Sequence, residues 1–320
     1  MKLQTNITLK PAQNQIDYQS QILILGSCFA ENIGSKLQYF KFQTLQNPFG
    51  ILFHPFAIEK LISKAIQKET YSEDEIFFLN ERWHCFDAHS DLSDPSKEKL
   101  LGRLNAALDK THQQITNSTH IIITLGTAWV YRNLESNEVV ANCHKVPQKE
   151  FSKELLSVKE VQNSLERIIK NIQVINKDVQ FIFTISPIRH LKDGFVENQQ
   201  SKAHLITAIH QFRETSYLKP CISYFEGYEI MLDELRDYRF YDADMIHPNL
   251  VAINYIWEKF VAVEISPTAI PVLEEVDALQ KGLEHRPFNA RSEQHQKFLK
   301  SLEAKITYLQ QKYPHMKFSE

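Results

Sequence analysis

Glycine is scarce in this chain, 8 residues in 320, and neither GxGxxG nor GxxxxGK followed by Ser or Thr occurs. The Gly-rich loops that cradle dinucleotides and nucleotide phosphates are therefore excluded. Cysteine is scarcer still: Cys28, Cys85, Cys143 and Cys221 lie far apart with no CxxC pair. That spacing is unlike a structural zinc site or a disulfide framework, and it reads as a reducing, cytoplasmic setting. No apolar run approaches a membrane span, and the opening residues, MKLQTNITLKPAQNQID, hold no stretch of signal-peptide length. A membrane is thus not an expected partner. Nor is there an excess of one charge. With 36 basic and 39 acidic residues the net charge is −3, which leaves no footprint for a polyanion, so nucleic acid is not an expected partner either.

The remaining composition, 43% hydrophobic and 23% charged, is that of a globular chain, long enough for one sizeable α/β core with insertions or for two smaller units. QILILG (21–26), HIIITLG (120–126), VQFIFTIS (179–186) and CISYFEG (221–227) are short β-branched or aromatic runs closed by Gly or Ser, and they read as buried strands. YFKFQTL (39–45) is a weaker, alternating candidate. Helical periodicity fills 28–38, 55–67, 98–115, 152–175, 199–216 and 249–262. Strands alternating with helices imply parallel pairing with helices on both faces. Residues 70–97 read as an irregular insertion and 129–142 as a hairpin turning at ESNE. Beyond Pro267 the tail becomes charged and helical, with Phe298, Leu302, Ile306 and Leu309 on one stripe. The expected division is a domain over 1–265, with insertions at about 70–97 and 129–145, and a helical extension over 266–320 docked on it.

Functional groups in open parallel sheets collect where strands end and helices begin. Ser27 follows the first strand directly, at an expected helix N-terminus. An N-cap role explains a serine there as well as a chemical one does. A nucleophilic serine needs a base, and the base an orienting partner. In FYDADMIHPNL, Asp244 and His247 are three apart, a spacing that on one helical turn puts both side chains on one side. The alternative for this pair is capping of the helix that begins near Asn249.

Taken together, GS after the first strand and DxxHP after the last resemble the SGNH (GDSL-like) hydrolase pattern. More closely, LGSCFAENIG resembles the opening motif of the GSCFA family, and the similarity continues through NPFGILFHP (47–55), WHCFDAHS (83–90), TLGTAWVY (124–131), NCHKVP (142–147), TISPIRHLKDGFVEN (184–198), SKA (201–203) and DMIHPN (244–249). HRPFNARSEQHQKFL (285–299) resembles the family's C-terminal extension. The resemblance implies a flavodoxin-like three-layer α/β/α fold of SGNH hydrolase type, with a central parallel sheet of about five strands. It also implies ester or acyl chemistry, with Ser27 as nucleophile, His247 as base and Asp244 as its orienter. The oxyanion donors it implies are the backbone N–H groups of Ser27 and Gly50 and an asparagine side chain after the third strand. Here the chain departs from the pattern, because Gly126-Thr127-Ala128-Trp129 holds no asparagine. Thr127 is the positional substitute, and Asn142, returned by the hairpin, is the longer donor.

The expected activity is hydrolysis of an acyl ester, on a carbohydrate or similar small molecule, with no cofactor. An acyltransferase on the same triad, or a ligand-binding module on the same scaffold, is the alternative. Cys28 is expected to point from the first helical turn into the core. His84, Asp87, His89 and His144 have the types of metal ligands, but the i, i+5 histidine spacing fits no zinc signature, and they read as lining a polar cleft. No metal is expected. His54, His84, His144, Arg189, His190 and Lys202 complete the expected substrate-binding set, Arg189 through a fork suited to a carboxylate or phosphate.

Overall fold

The computed structural model describes residues 4–215 and 221–318. With strands numbered along the chain, β1 (Gln21–Gly26), β2 (Gln43–Gln46), β5 (His120–Leu125), β9 (Gln180–Ile185) and β10 (Ile222–Phe225) form one sheet in the order β2-β1-β5-β9-β10. Every neighbouring pair is parallel. The chain steps outward from β1 to β2 and then returns to the other side of β1 for β5. The loops after β1 and β5 therefore diverge, which makes this the switch point of a 2-1-3-4-5 sheet.

Alternation of side chains divides the core into two layers. Leu23, Leu25, Ile121, Ile123, Phe181 and Phe183 pack beneath α2 (Pro55–Gln67), α3 (Lys97–Asn117), α4 (Val158–Ile175) and α5 (Phe195–Thr215). Ile22, Ile24, Ile122, Ile182 and Phe225 pack beneath α1 (Cys28–Tyr39) and α7 (Leu250–Glu264), with α8 (Ile270–Glu284) and α9 (Glu293–Lys312) on the same side. A three-residue turn of helix, α6 (Gly227–Glu229), leads from β10 into a π-helical turn at Ile230–Glu234. The result is an α/β/α arrangement about a five-stranded parallel sheet, with C-terminal helices. From the tail stripe, Leu302 and Leu309 are buried in this second layer, Ile306 packs on it, and Phe298 stays partly exposed. Burying a leucine of this kind contributes roughly 1.5–3 kcal/mol, so the extension is held by the same apolar layer as α1 and α7.

Three expectations need correction. Residues 152–175 are not helical throughout. Phe151–Leu155 is strand β8, antiparallel to β6 (Trp129–Asn133), whose other edge carries β7 (Val139–Val140). The helix starts only at Val158, where Ser157 and Glu160 form a reciprocal capping box. The second strand lies at 43–46 rather than 39–45, because α1 continues to Tyr39. The insertion at 70–97 is less irregular than its sequence: β3 (Phe77–Leu79) and β4 (Arg82–His84) form a hairpin whose two turn residues, Asn80 and Glu81, both have positive φ.

Candidate functional site

Ser27 sits where β1 passes into α1, and its surroundings explain why the chain turns there. Gly26 has φ +138, and a Cβ on it would lie 2.2 Å from Thr124 O on the neighbouring strand. Only glycine fits. Ser27 N–H donates to Thr124 O at 3.1 Å, and its Oγ accepts from Phe29 N–H at 3.3 Å. The serine is thus an N-cap in fact, 1% exposed, with its hydroxyl turned to the helix and not hydrogen-bonded to His247. Gly50, with φ +70, closes a turn by donating its N–H to Asn47 O at 2.7 Å. Both backbone groups expected at an oxyanion are engaged in this structure.

Asp244 and His247 form a self-contained unit. Asp244 Oδ1 accepts the N–H groups of Ile246 and His247, each at 2.9 Å, and Oδ2 accepts from His247 Nδ1 at 2.5 Å. The backbone N–H of His247, its ring and the N–H of Ile246 hold the carboxyl down to about 2. The pair does not ride on a helical turn as the spacing suggested. It closes an Asx-type turn in which Met245 takes φ +60. Nor does it cap the following helix, since Asn249 does so with its own side chain, accepting from Ala252 N–H at 3.1 Å. The Arg189 guanidinium donates to Met245 O and lies 5.2 Å from the Tyr241 ring centre, tying the SPIRH loop to this turn.

Close to both units lies a buried amine. Lys202, from α5, is 1% exposed and donates to Gly126 O at 2.6 Å and Ser186 O at 2.7 Å, the carbonyls just beyond β5 and β9. Burial pushes its amine down to about 7, against the opposing pull of nearby Cys28. Burial, followed by the charges of Lys202 and His247, pushes His190 down to about 3, so this imidazole is neutral at physiological pH. Lys202, His190, Arg189 and His247 therefore share one neighbourhood, at the sheet edge that also carries Ser27.

The other expected residues have different company. Thr127 Oγ1 lies 2.9 Å from Ser201 Oγ and accepts from Trp129 N–H at 3.0 Å. Asn142 accepts from His144 N–H at 2.8 Å and donates its own N–H to Phe86 O. His54 caps α2, with Nδ1 accepting from Ala57 N–H and Nε2 donating to Val140 O, and burial lowers it to about 4. His84 bonds Ser93 Oγ and Leu79 O, while His144 bonds Cys85 O, with the two rings 4.8 Å apart. Asp87 accepts from Tyr71 and pairs with Lys60, and His89 pairs with Asp91. These groups are committed to the protein rather than converging on one ligand. Cys28 packs against the α1 layer, and burial raises its thiol, opposite to what an activated nucleophile needs.

Sequence reasoning missed Asn47, which accepts Gly26 N–H at 2.9 Å through Oδ1 and leaves Nδ2 buried without a partner. It missed Asn198, whose Oδ1 fixes His190 N–H at 2.9 Å. Both lie inside motifs that stood out, NPFG and GFVEN, and an asparagine three or four residues from a glycine was the available signal.

Fold and site together define a three-layer α/β protein with a serine, a His–Asp turn and a buried lysine at the C-terminal edge of its parallel sheet. The GSCFA family model matches residues 21–260, and the model of the GSCFA domain protein C-terminal domain matches residues 276–320. The chain belongs to the GSCFA family. Comparison with curated proteins found no match. Among the described residues, no helix is long and apolar enough to cross a membrane.

Proposed function

We propose that this protein is a serine-dependent ester hydrolase of SGNH type, with Ser27 as nucleophile, His247 as general base and Asp244 as its orienter. The observation that carries the reading is the Asp244–His247 turn. A carboxylate 2.5 Å from Nδ1 fixes the proton there and leaves Nε2 as the accepting nitrogen. That nitrogen belongs to the turn just before α7, in the segment between the last strand of the sheet and that helix, and Ser27 directly follows the first strand.

In this reading Ser27 Oγ turns from Phe29 N–H, gives its proton to His247 Nε2 and bonds to the acyl carbon. The leaving alkoxide takes the proton from His247. Water then repeats the sequence, with His247 as base, and releases the acid. The substrate class is an acyl ester of a carbohydrate or a similar small molecule, and no cofactor enters. A fluorophosphonate label mapped by mass spectrometry tests the nucleophile, with addition at Ser27 expected. An adduct on Cys28, or no adduct, overturns the assignment.

One observation favours a second reading. The Ser27 and Gly50 N–H groups are engaged with Thr124 O and Asn47 O, as suits a ligand-binding module on a hydrolase scaffold. Acyl-ester turnover separates the readings: turnover with water alone supports the hydrolase, turnover only with an acceptor alcohol supports an acyltransferase, and binding without turnover supports the module.

A further inference from the structure

An acyl-transfer site requires donors aimed at the developing oxyanion, and the segment after β5 offers no asparagine to supply one. Thr127 is bonded to Ser201 and Trp129, and Asn142 makes its contacts with Phe86 and His144. A different side chain fills the space beside Gly126. A Cβ on that glycine would lie 3.1 Å from His190 Nε2 and 2.8 Å from Phe53 Cβ. His190 Nε2 is itself enclosed and has no hydrogen-bond partner.

The ring is held firmly for a group with nothing to bond. Asn198, itself buried, fixes the His190 backbone N–H at 2.9 Å, and the Phe53 ring packs against the imidazole with centres 5.7 Å apart. Phe53 in turn holds the segment in question, its carbonyl accepting the N–H groups of Gly126 at 2.7 Å and Thr127 at 3.1 Å. Lys202 bonds Gly126 O from the other side, so the glycine, the imidazole and the ammonium are parts of one assembly. An enclosed polar nitrogen with no partner is a cost to the fold unless something else uses it.

We propose that His190 Nε2–H is the side-chain oxyanion donor of the Ser27 site, delivered from the loop after β9 in place of an asparagine after β5. This rests on the acyl-transfer reading of Ser27. As the Ser27 Oγ–carbon bond forms, the carbonyl π pair moves onto oxygen and His190 Nε2–H donates to it. When the intermediate collapses, the pair returns, the bond to the leaving oxygen breaks, and that oxygen takes the proton held by His247. His190 gives up no proton at any step. A neutral imidazole suits this role, because it donates without becoming an acid that would protonate the intermediate.

The test uses the full chain, fluorophosphonate labelling and hydrolysis of p-nitrophenyl acetate. Labelling of the wild type at Ser27 comes first, and its absence overturns the nucleophile reading and the His190 role together. With the wild type labelled, His190→Leu is expected to lower kcat about 100- to 1000-fold with KM within about threefold, and to slow labelling in parallel. His190→Gln, whose amide N–H reaches the position of Nε2, is expected to recover at least tenfold of that loss. The acid limb of its kcat/KM profile should stay in place, because His190 is not the group that titrates there. Should His190→Leu not fold, His190→Met replaces it as the apolar variant. A folded apolar variant that keeps kcat within about threefold of wild type, or a glutamine variant no faster than it, refutes the donor role and leaves Ser27 standing.

Discussion

The two halves of the proposed site are built in opposite ways. Ser27 is 1% exposed and set by the core: a strand end that only glycine can form, a helix it caps, and a buried lysine across the sheet edge. The Asp244 and His247 side chains are 47% and 49% exposed and are set by one local turn, which owes most of its shape to Asp244 itself. Position is thus inherited from the whole fold in one half and from six residues in the other. Substitutions in the enclosed half should separate chemistry from stability poorly, except at the hydroxyl. In the exposed half they should do so cleanly.

The largest effect is expected at the hydroxyl. Ser27→Ala should abolish labelling and turnover together. It also removes an N-cap, for which a loss of about 1 kcal/mol is typical, so the melting temperature should fall measurably while the protein stays folded. Full activity in a folded Ser27→Ala protein removes this half from the mechanism.

Next comes the base. His247→Ala should lower kcat/KM about 100- to 10,000-fold with little change in melting temperature, since the side chain is half in solvent. Asp244→Asn should cost less, because an amide oxygen still accepts the two backbone N–H groups that shape the turn. It should also alter stability in acid. The folded-state carboxyl is held near 2, below its ordinary value of 3.8, so its contribution is present above 3.8 and is lost as pH falls through about 2. Denaturation scans from pH 2 to 5 should show this loss in the wild type and not in Asp244→Asn. Equal kinetic losses in the two variants would mean that the carboxylate does more than orient the ring.

The same contrast explains what the sequence reveals. Ser27 is legible because a β-branched run ends in Gly-Ser, and the Asp–His pair is legible because the whole unit lies within 242–247. The sheet is legible for the first reason as well, its strands being short apolar runs. β8 is hidden, because FSKEL has no β-branched alternation and adjoins a periodic helix; it is a strand only because β6 offers an open edge. Lys202 in SKA is legible as a candidate near the site, but its burial is not, because only the arrival of Gly126 and Ser186 from two strands encloses it. His190 is legible in the same partial way, as a candidate whose surroundings stay hidden because its neighbours come from positions 53, 126, 198 and 202.

Arg189 links the halves, and its removal should have an intermediate effect. Arg189→Met breaks the bond to Met245 O while keeping an apolar stem near Tyr241. A turn no longer pinned to the SPIRH loop should lower kcat/KM about tenfold, because small misplacement of a base is costly in an oriented site. Arg189→Lys should not restore it, since a single ammonium lacks the planar fork. Kinetics indistinguishable from wild type in Arg189→Met would show that the turn needs no tether, making the exposed half fully autonomous.

The smallest expected effect is also the sharpest probe of the enclosed half. The buried Lys202 amine is pushed down to about 7 from an ordinary 10.5, so between those values the unfolded chain carries a proton that the folded chain lacks. Stability contributed by this group therefore rises as pH climbs from 7 towards 10.5 and is flat below 7, where the folded ammonium is protonated as well. The Cys28 thiol works against this at the alkaline end, because burial raises it and unfolding then releases a proton. Subtracting Lys202→Met removes that term and the rest of the background, apart from the part that Lys202 and Cys28 exert on each other. The range up to pH 9 keeps that part small, because burial raises the thiol. The wild-type melting temperature minus that of Lys202→Met should grow from pH 7 to pH 9 and stay constant from pH 5 to pH 6.5. A difference constant across the whole range would mean that the two carbonyls at 2.6 and 2.7 Å keep Lys202 charged despite its burial. The enclosed half would then hold a permanent cation beside Ser27, and its contrast with the exposed half would be one of charge as well as burial.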